Sequence, residues 1–215
     1  MKGRAMLRLL PLLCAAALAA CSALPDKPQR PVQYDFGPGL VAAQPSDRRA
    51  PLPPLALGEV EGGGPLEAGT GIYYRLAYAD DLQLRPYALA RWSMPPVQLV
   101  RQRLRDQLSQ RRAVVDAGEG AALLRSDGRQ PLVLRLALEE FSHLFQSPTA
   151  STGLVRLRAT VVDNQPAGEK LLAQRRFVVQ RPAPTADAPG GVRALAEATD
   201  TLAAELGQWL ETVER

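Results

Sequence analysis

One thiol stands where its surroundings invite chemistry. Cys21 closes the run Leu18-Ala19-Ala20-Cys21, directly after an apolar stretch from Leu9 to Ala20 and directly before polar, proline-rich chain. Small side chains at 19 and 20 let a peptidase bind the backbone closely, and a cysteine left just after the cut offers a nucleophilic sulfur that can take an acyl group. Little else in the chain invites a reaction. The one histidine, His143, sits between Phe141 and Phe145 in a strand-like stretch, where packing or surface exposure accounts for it better than catalysis. Glu139 and Glu140 are neighbours in that stretch, so alternation predicts opposite faces and no shared acid-base work. Asp80-Asp81 reads as a turn. The run "GEVEGGGP" lacks the lysine and Ser/Thr of a phosphate-binding loop, no G-x-G-x-x-G opens a helix, and no G-x-S-x-G elbow occurs. A metal site draws on several ligands, and His143 has no obvious companion, so neither metal nor cofactor is expected.

The segment that must position Cys21 is basic, then apolar, then small. Lys2, Arg4 and Arg8 precede an apolar stretch of 12 residues that contains Pro11. A spanning helix needs roughly 20 apolar residues, whereas this layout is that of a removed export signal. An ordinary secretory signal with an incidental cysteine is one reading. The box Leu-Ala-Ala-Cys more closely resembles the bacterial lipoprotein signal. That resemblance implies that Cys21 becomes the first mature residue and carries the acyl chains. It also implies, from Ser22 rather than Asp, the periplasmic face of the outer membrane. One short acyl chain binds a membrane only marginally, while two or more signals hold stably. Cys14 falls in the removed part, so no internal disulfide is expected.

Removing residues 1–20 leaves 23 Lys and Arg against 22 Asp and Glu, so the mature chain is nearly neutral and nucleic-acid binding is not indicated. The expected division is a signal over 1–20, a lipidated tether over 21–32, and one domain over 33–215. Eight prolines between Pro25 and Pro54 stiffen the chain and block helix there.

The domain reads as α+β: a mostly antiparallel sheet of about seven or eight strands with two main helices packed on it. "VQYDFGPG" and "LALGEVEGGG" read as the first strands, with a loop over "AAQPSDRRAPLPP" between them. Ile72, Tyr74, Leu76 and Tyr78 alternate onto one face, and a hairpin turn at Asp80-Asp81 leads into "LQLRPYALARW", where Pro86 requires a sheet edge or a bulge. Pro95 and Pro96 suit a helix start, and Val97, Val100, Leu104 and Leu108 form its apolar stripe. Arg101, Arg103, Arg105, Arg111 and Arg112 decorate the remainder. They read as a solvated face, with a phospholipid-headgroup or partner surface as the sharper alternative. "AVVDAG" is a short strand, and "PLVLRLALEEFSHLF" a longer one whose parity changes at Glu139-Glu140, the mark of a bulge. "GLVRLRATVVDN" and "EKLLAQRRFVVQ", with Leu171, Ala173, Phe177 and Val179 on one face of the latter, form a hairpin through "NQPAGE". "PAPTADAPGG" reads as a connector to an amphipathic helix of about five turns, with Leu195, Ala198, Leu202, Leu206, Trp209 and Val213 on one side.

Taken in order, "LAAC", "YDFGP", "YYR", "YALARWSMPP", "LEEF", "VRLRATVVD" and "QWL" resemble the ABC-type transport auxiliary lipoprotein family, the PqiC-like lipoproteins. The likeness runs from Gln33 to Leu210 and is sharpest over Tyr87–Pro96. Tyr74, Arg75, Tyr87, Trp92, Pro95 and Pro96 match the family pattern; they serve either the fold, which is the favoured reading, or a docking surface. The resemblance implies a non-enzymatic component of an intermembrane transport system with an MCE-type periplasmic partner. It also implies cargo of lipids or other hydrophobic compounds, and it is compatible with a homo-oligomeric ring. A structural or assembly lipoprotein of the envelope is the alternative.

Overall fold

Leucine and valine at every second position build the centre of the sheet. In the computed structural model, residues 29–39, 52–118, 124, 128–165 and 167–213 are described, so Cys21, the signal and most of the proline-rich loop Val41–Pro54 lie outside them. The chain divides into a unit over residues 1–30 and a folded unit over Pro31–Arg215. Along the folded unit run β1 (Val32–Tyr34), β2 (Leu55–Gly62), α1 (Pro65–Ala68), β3 (Gly71–Leu76), β4 (Asp80–Trp92) and α2 (Pro96–Leu108). They are followed by β5 (Val114–Asp116), β6 (Leu132–Phe145), β7 (Ser151–Gln165), β8 (Gly168–Pro182) and α3 (Ala188–Val213).

The eight strands form one sheet, but it is mixed rather than mostly antiparallel. β3–β4, β6–β7 and β7–β8 are antiparallel, while β1–β4, β2–β5, β2–β6 and β3–β6 are parallel. Only the antiparallel pairs are joined by short turns. Alternation fixes which face a residue takes and says nothing of strand direction, and the parallel pairs rest on long crossovers, the α2 segment among them. β6 is the hub. β7 runs along one edge from Val133 to Phe145, while the other edge is shared, β2 pairing Leu132–Leu138 and β3 pairing His143–Phe145.

Both long helices lie on one face of the sheet, α3 across β7 and β8, α2 against β2 and α3. Leu134, Leu136, Leu138, Val155, Leu157, Ala159, Val161, Phe177 and Val179 point towards them and are buried. The stripe of α2 is buried in full, as are Leu195, Ala198, Leu202 and Leu206 of α3, each buried leucine or valine among them contributing about 1.5–3 kcal/mol.

Three local readings are corrected. The β3–β4 turn falls at Ala77–Ala79, with Asp80 already in β4. Leu171 leaves the core face and is exposed, because a bulge pairs Ala173 with Val161 but Leu171 with Val162, taking Leu172 out of register. The connector before α3 is shorter than expected: Pro189, Gly190 and Gly191 are already in the first turn, and the helix has 26 residues. Asp187 caps that turn, its Oδ1 accepting from Gly190 N at 2.8 Å and from the Thr185 hydroxyl at 2.6 Å. Pro86 does sit beside a bulge, opposite Tyr73.

The helix lies so close that β7 needs a glycine beneath it. A Cβ on Gly153 would stand 2.5 Å from the carbonyl carbon of Ala194, which is backbone and cannot swing away. Gly153→Ala is expected to cost about 1–3 kcal/mol, read from the midpoint of urea unfolding. Gly207 in the same helix has only Leu108 Cδ2 near, at 3.9 Å, so Gly207→Ala is expected to raise stability by about 0.5–1 kcal/mol.

Candidate functional site

The six motif residues do not form one surface. Trp92 is 1% exposed, wedged between Phe36 and Phe141 with ring centroids 5.7 and 5.6 Å away. Pro96 is buried in the first turn of α2, and Pro95 precedes it as the cap, its carbonyl accepting from Gln98 N and Leu99 N. These three serve the helix start and its seat on the core, and Trp92 and Pro96 have almost no surface to offer a partner.

Tyr74 and Tyr87 meet elsewhere, on the helix face at the far end of β6. Their rings lie 4.7 Å apart, and the Tyr87 hydroxyl oxygen is 2.8 Å from Nδ1 of His143. His143 is fully buried, with Phe145 at 4.4 Å and Nε2 without a protein hydrogen-bond partner. Gly191 of α3 presses on the ring, since a Cβ there would fall 2.4 Å from Nδ1. Desolvation drives the imidazole down to about 4, against an opposing pull from Asp187. Burial likewise pushes the Tyr87 phenol above its ordinary value, aided by Tyr74 and Asp187. His143 is therefore a neutral packing residue, in keeping with its apolar neighbours in sequence. Its partner Tyr87 is 56 positions away and was not readable.

Arg75 works on the opposite face. Its Nε and one terminal nitrogen fork onto the Glu140 carboxylate at 3.3 Å each, and its other terminal nitrogen donates to the carbonyls of Asp81 and Leu82 at 3.1 and 3.3 Å. One guanidinium thereby ties the start of β4 to β6. Glu139 bridges Arg158 and Arg176, at 3.4 and 2.8 Å. Opposite faces were expected for Glu139 and Glu140, yet both reach arginines of the face away from the helices. The bulge between Leu138 and Glu140 breaks the alternation.

The arginines of α2 are mostly latches. Arg101 binds Glu59, Asp116 and the Gly58 carbonyl; Arg105 joins it on Asp116. Their hydrogen bonds and charge hold the Asp116 carboxyl below the usual carboxylate range. Arg103 pairs with Asp200 at 3.3 Å and lies over the Phe36 ring, and Arg111 pairs with Glu211 of α3. Burial raises the Asp200 carboxyl, with Arg103 opposing. Arg112 is buried. This network, rather than a solvated stripe, ties α2 to β2, β5 and α3.

Open cavities among the described residues include two of moderate size. One of about 280 Å³ is lined by Gly58, Val133, Arg135, Asn164 and Glu169 among others, the second of about 240 Å³ by Asp35, Phe36, Gln102, Arg103 and Asp106 among others. Neither contains histidine or cysteine, and no cluster of metal-ligating side chains occurs among the described residues.

The architecture is shared with solved structures. A Xanthomonas campestris protein of the DUF330 family matches with a TM-score of 0.67 at 16% identity, over 85% of this chain and 96% of its own. An uncharacterized protein matches with a TM-score of 0.61, also at 16% identity, over 85% of this chain and 99% of its own. At such identity the likeness shows the fold. No curated protein matches the chain in sequence. The family of ABC-type transport auxiliary lipoprotein components matches residues 40–207, and the chain belongs to it. By its description, that family is one of auxiliary lipoprotein components of ABC-type transport. No helix among the described residues is long and apolar enough to cross a membrane.

Burial of a neutral histidine links stability to acidity. The folded-state value of about 4 lies below the ordinary 6.5, so the unfolded chain binds the proton more readily. The stabilisation is complete above about pH 6.5 and is lost as pH falls towards 4, about 3 kcal/mol over that window. Urea midpoints at pH 7.5 and 5.0 are expected to differ in the wild type and to draw together in His143→Gln.

Proposed function

We propose that the protein is the non-catalytic outer-membrane component of an intermembrane transport system. Acyl chains on Cys21 hold it at the periplasmic face, and its domain engages an MCE-type periplasmic protein that carries lipids or other hydrophobic compounds. The family match over residues 40–207 carries this reading, because it ties most of the folded chain to auxiliary lipoproteins of ABC-type transport. The Leu-Ala-Ala-Cys box supports the anchor and Ser22 the outer membrane. Engagement of the arginines and of Glu139 and Glu140 in structural ion pairs fits a scaffold rather than a reaction centre.

The work of such a protein is positional. A lipid hook fixes one end, and a tether over residues 22–32 sets the reach at roughly 34 Å if extended. Holding a surface at that distance raises its effective concentration towards a partner in the same space without adding a contact. Self-association into a ring would multiply the surface offered.

Two measurements separate anchor from partner. On membrane fractionation, Cys21→Ala is expected to leave the outer membrane and lose transport; a variant that stays there and still supports transport would refute the anchor. Affinity purification of the wild type from cross-linked cells is expected to yield an MCE-type component, and repeated failure to find one argues for an assembly or structural role.

A further inference from the structure

The tip of the β3–β4 hairpin carries an exposed leucine on a backbone that is held from both sides. Leu82 is 87% exposed. Its amide donates to Asp80 Oδ1 at 3.0 Å, and its carbonyl accepts from Arg75, which is itself forked onto Glu140 of β6. The backbone is therefore fixed while the apolar side chain projects into solvent. Tyr78, in the adjoining turn, is 48% exposed. Leu89 of β4 and Val32 of β1 are exposed as well, and among the described residues β1 lies at the edge of the sheet and pairs only with β4. At the tip itself, Leu82 and Tyr78 thus offer exposed side chains on a held backbone.

The direction of β1 says what covers it. β1 is parallel to β4, with Val32 opposite Ala90 and Tyr34 opposite Trp92. The chain therefore comes into the folded unit from the side on which β4 begins, which is the side of the hairpin tip. Along β3, Gly71 lies opposite Arg91 and Leu76 opposite Asp80, so the hairpin tip is five residues of strand from the level of β1, about 17 Å at 3.3 Å per residue. From Val32 back to Cys21 is 11 residues, about 34 Å as an extended proline-rich chain and at most about 40 Å. The tether is longer than the distance from β1 to the tip, so the bilayer that takes the hook on Cys21 lies within reach of the hairpin tip.

We infer that the β3–β4 tip is a membrane contact, with Leu82 and Tyr78 seated in the headgroup layer of the bilayer that holds Cys21. This rests on the anchoring proposed above. A leucine and a tyrosine suit that depth, the ring bridging apolar chains and water. Asp80 and Asp81 beside them make a zwitterionic surface the compatible one. A second contact at the tip, besides the hook, limits how the domain can tilt as well as how far it stands off.

The test uses the full-length lipidated protein in phosphatidylcholine vesicles. An environment-sensitive fluorophore is placed on Leu82→Cys, and in a second preparation on Val178→Cys, an exposed position on β8 at the opposite edge. Acylation of Cys21 leaves the new thiol as the one labelled. The expected result is that the protein floats with the vesicles, and that the probe at 82 is blue-shifted and quenched by doxyl-labelled lipid while the probe at 178 is neither. Flotation with both probes in water overturns the contact and leaves the anchor standing. A blue shift at 82 that doxyl lipid does not quench means that protein, such as a second copy, covers the tip, and overturns it too. Failure to float overturns the anchor and the contact together.

Discussion

Strand β6 has more neighbours than one edge can ordinarily hold, and the break in its pairing resolves this. β7 occupies one side throughout. On the other side β2 stops at Leu138 and β3 begins at His143, with the bulge at Glu139 between them. A bulge bends the strand and increases its twist, which separates the two incoming strands. Everything else is arranged about that division: α2 lies against β2, and the start of α3 sits over the β3 end at His143. Without the extra residue, the face-by-face alternation would run unbroken, and Leu134 and Phe141 could not both point into the same core.

Charge is used in this protein mainly to tie elements together across the sheet and between helices. Arg75 joins the hairpin to β6, Glu139 joins β6 to β7 and β8, Arg101 joins α2 to β2 and β5, and Arg111 joins α2 to α3. Single exposed pairs contribute little, about 0–1 kcal/mol each. Several of these arginines, however, are mostly covered and reach backbone carbonyls as well, so they fix geometry more than they add stability. Such pairing leaves the shape of the surface, more than scattered free charges, to select partners.

The sequence was most informative where a pattern had one physical meaning. Alternation located the cores of the long strands, apart from Leu171 in β8, the two prolines located the start of α2, and the parity change located the bulge in β6. The apolar stripe of α3 was legible, but its first turn was not, because Pro-Gly-Gly reads as a connector until His143 and Thr185 are seen to need the room. Beyond the two hairpins, strand direction was illegible, since parallel and antiparallel neighbours impose the same alternation. Of the motif residues, Trp92 and Pro96 were legible as packing. The partners of Tyr87 and Arg75 were not, because residues 56 and 65 positions apart meet only once the sheet exists.

The order in which the chain becomes available has a consequence for β2. Its two neighbours, β5 and β6, both lie later in the sequence, β5 by about 50 residues and β6 by more. β3 and β4 can close on each other at once, and β6, β7 and β8 form a meander whose turns are short. Local closure of that kind is fast, and remote parallel pairing is slow. A ribosome or a translocon that delivers the amino end first thus releases β2 as an orphan, with Leu55, Ala56 and Leu57, all of which end up fully buried. Until β6 arrives, that segment is sticky cargo in its own right, the natural handhold for a chaperone.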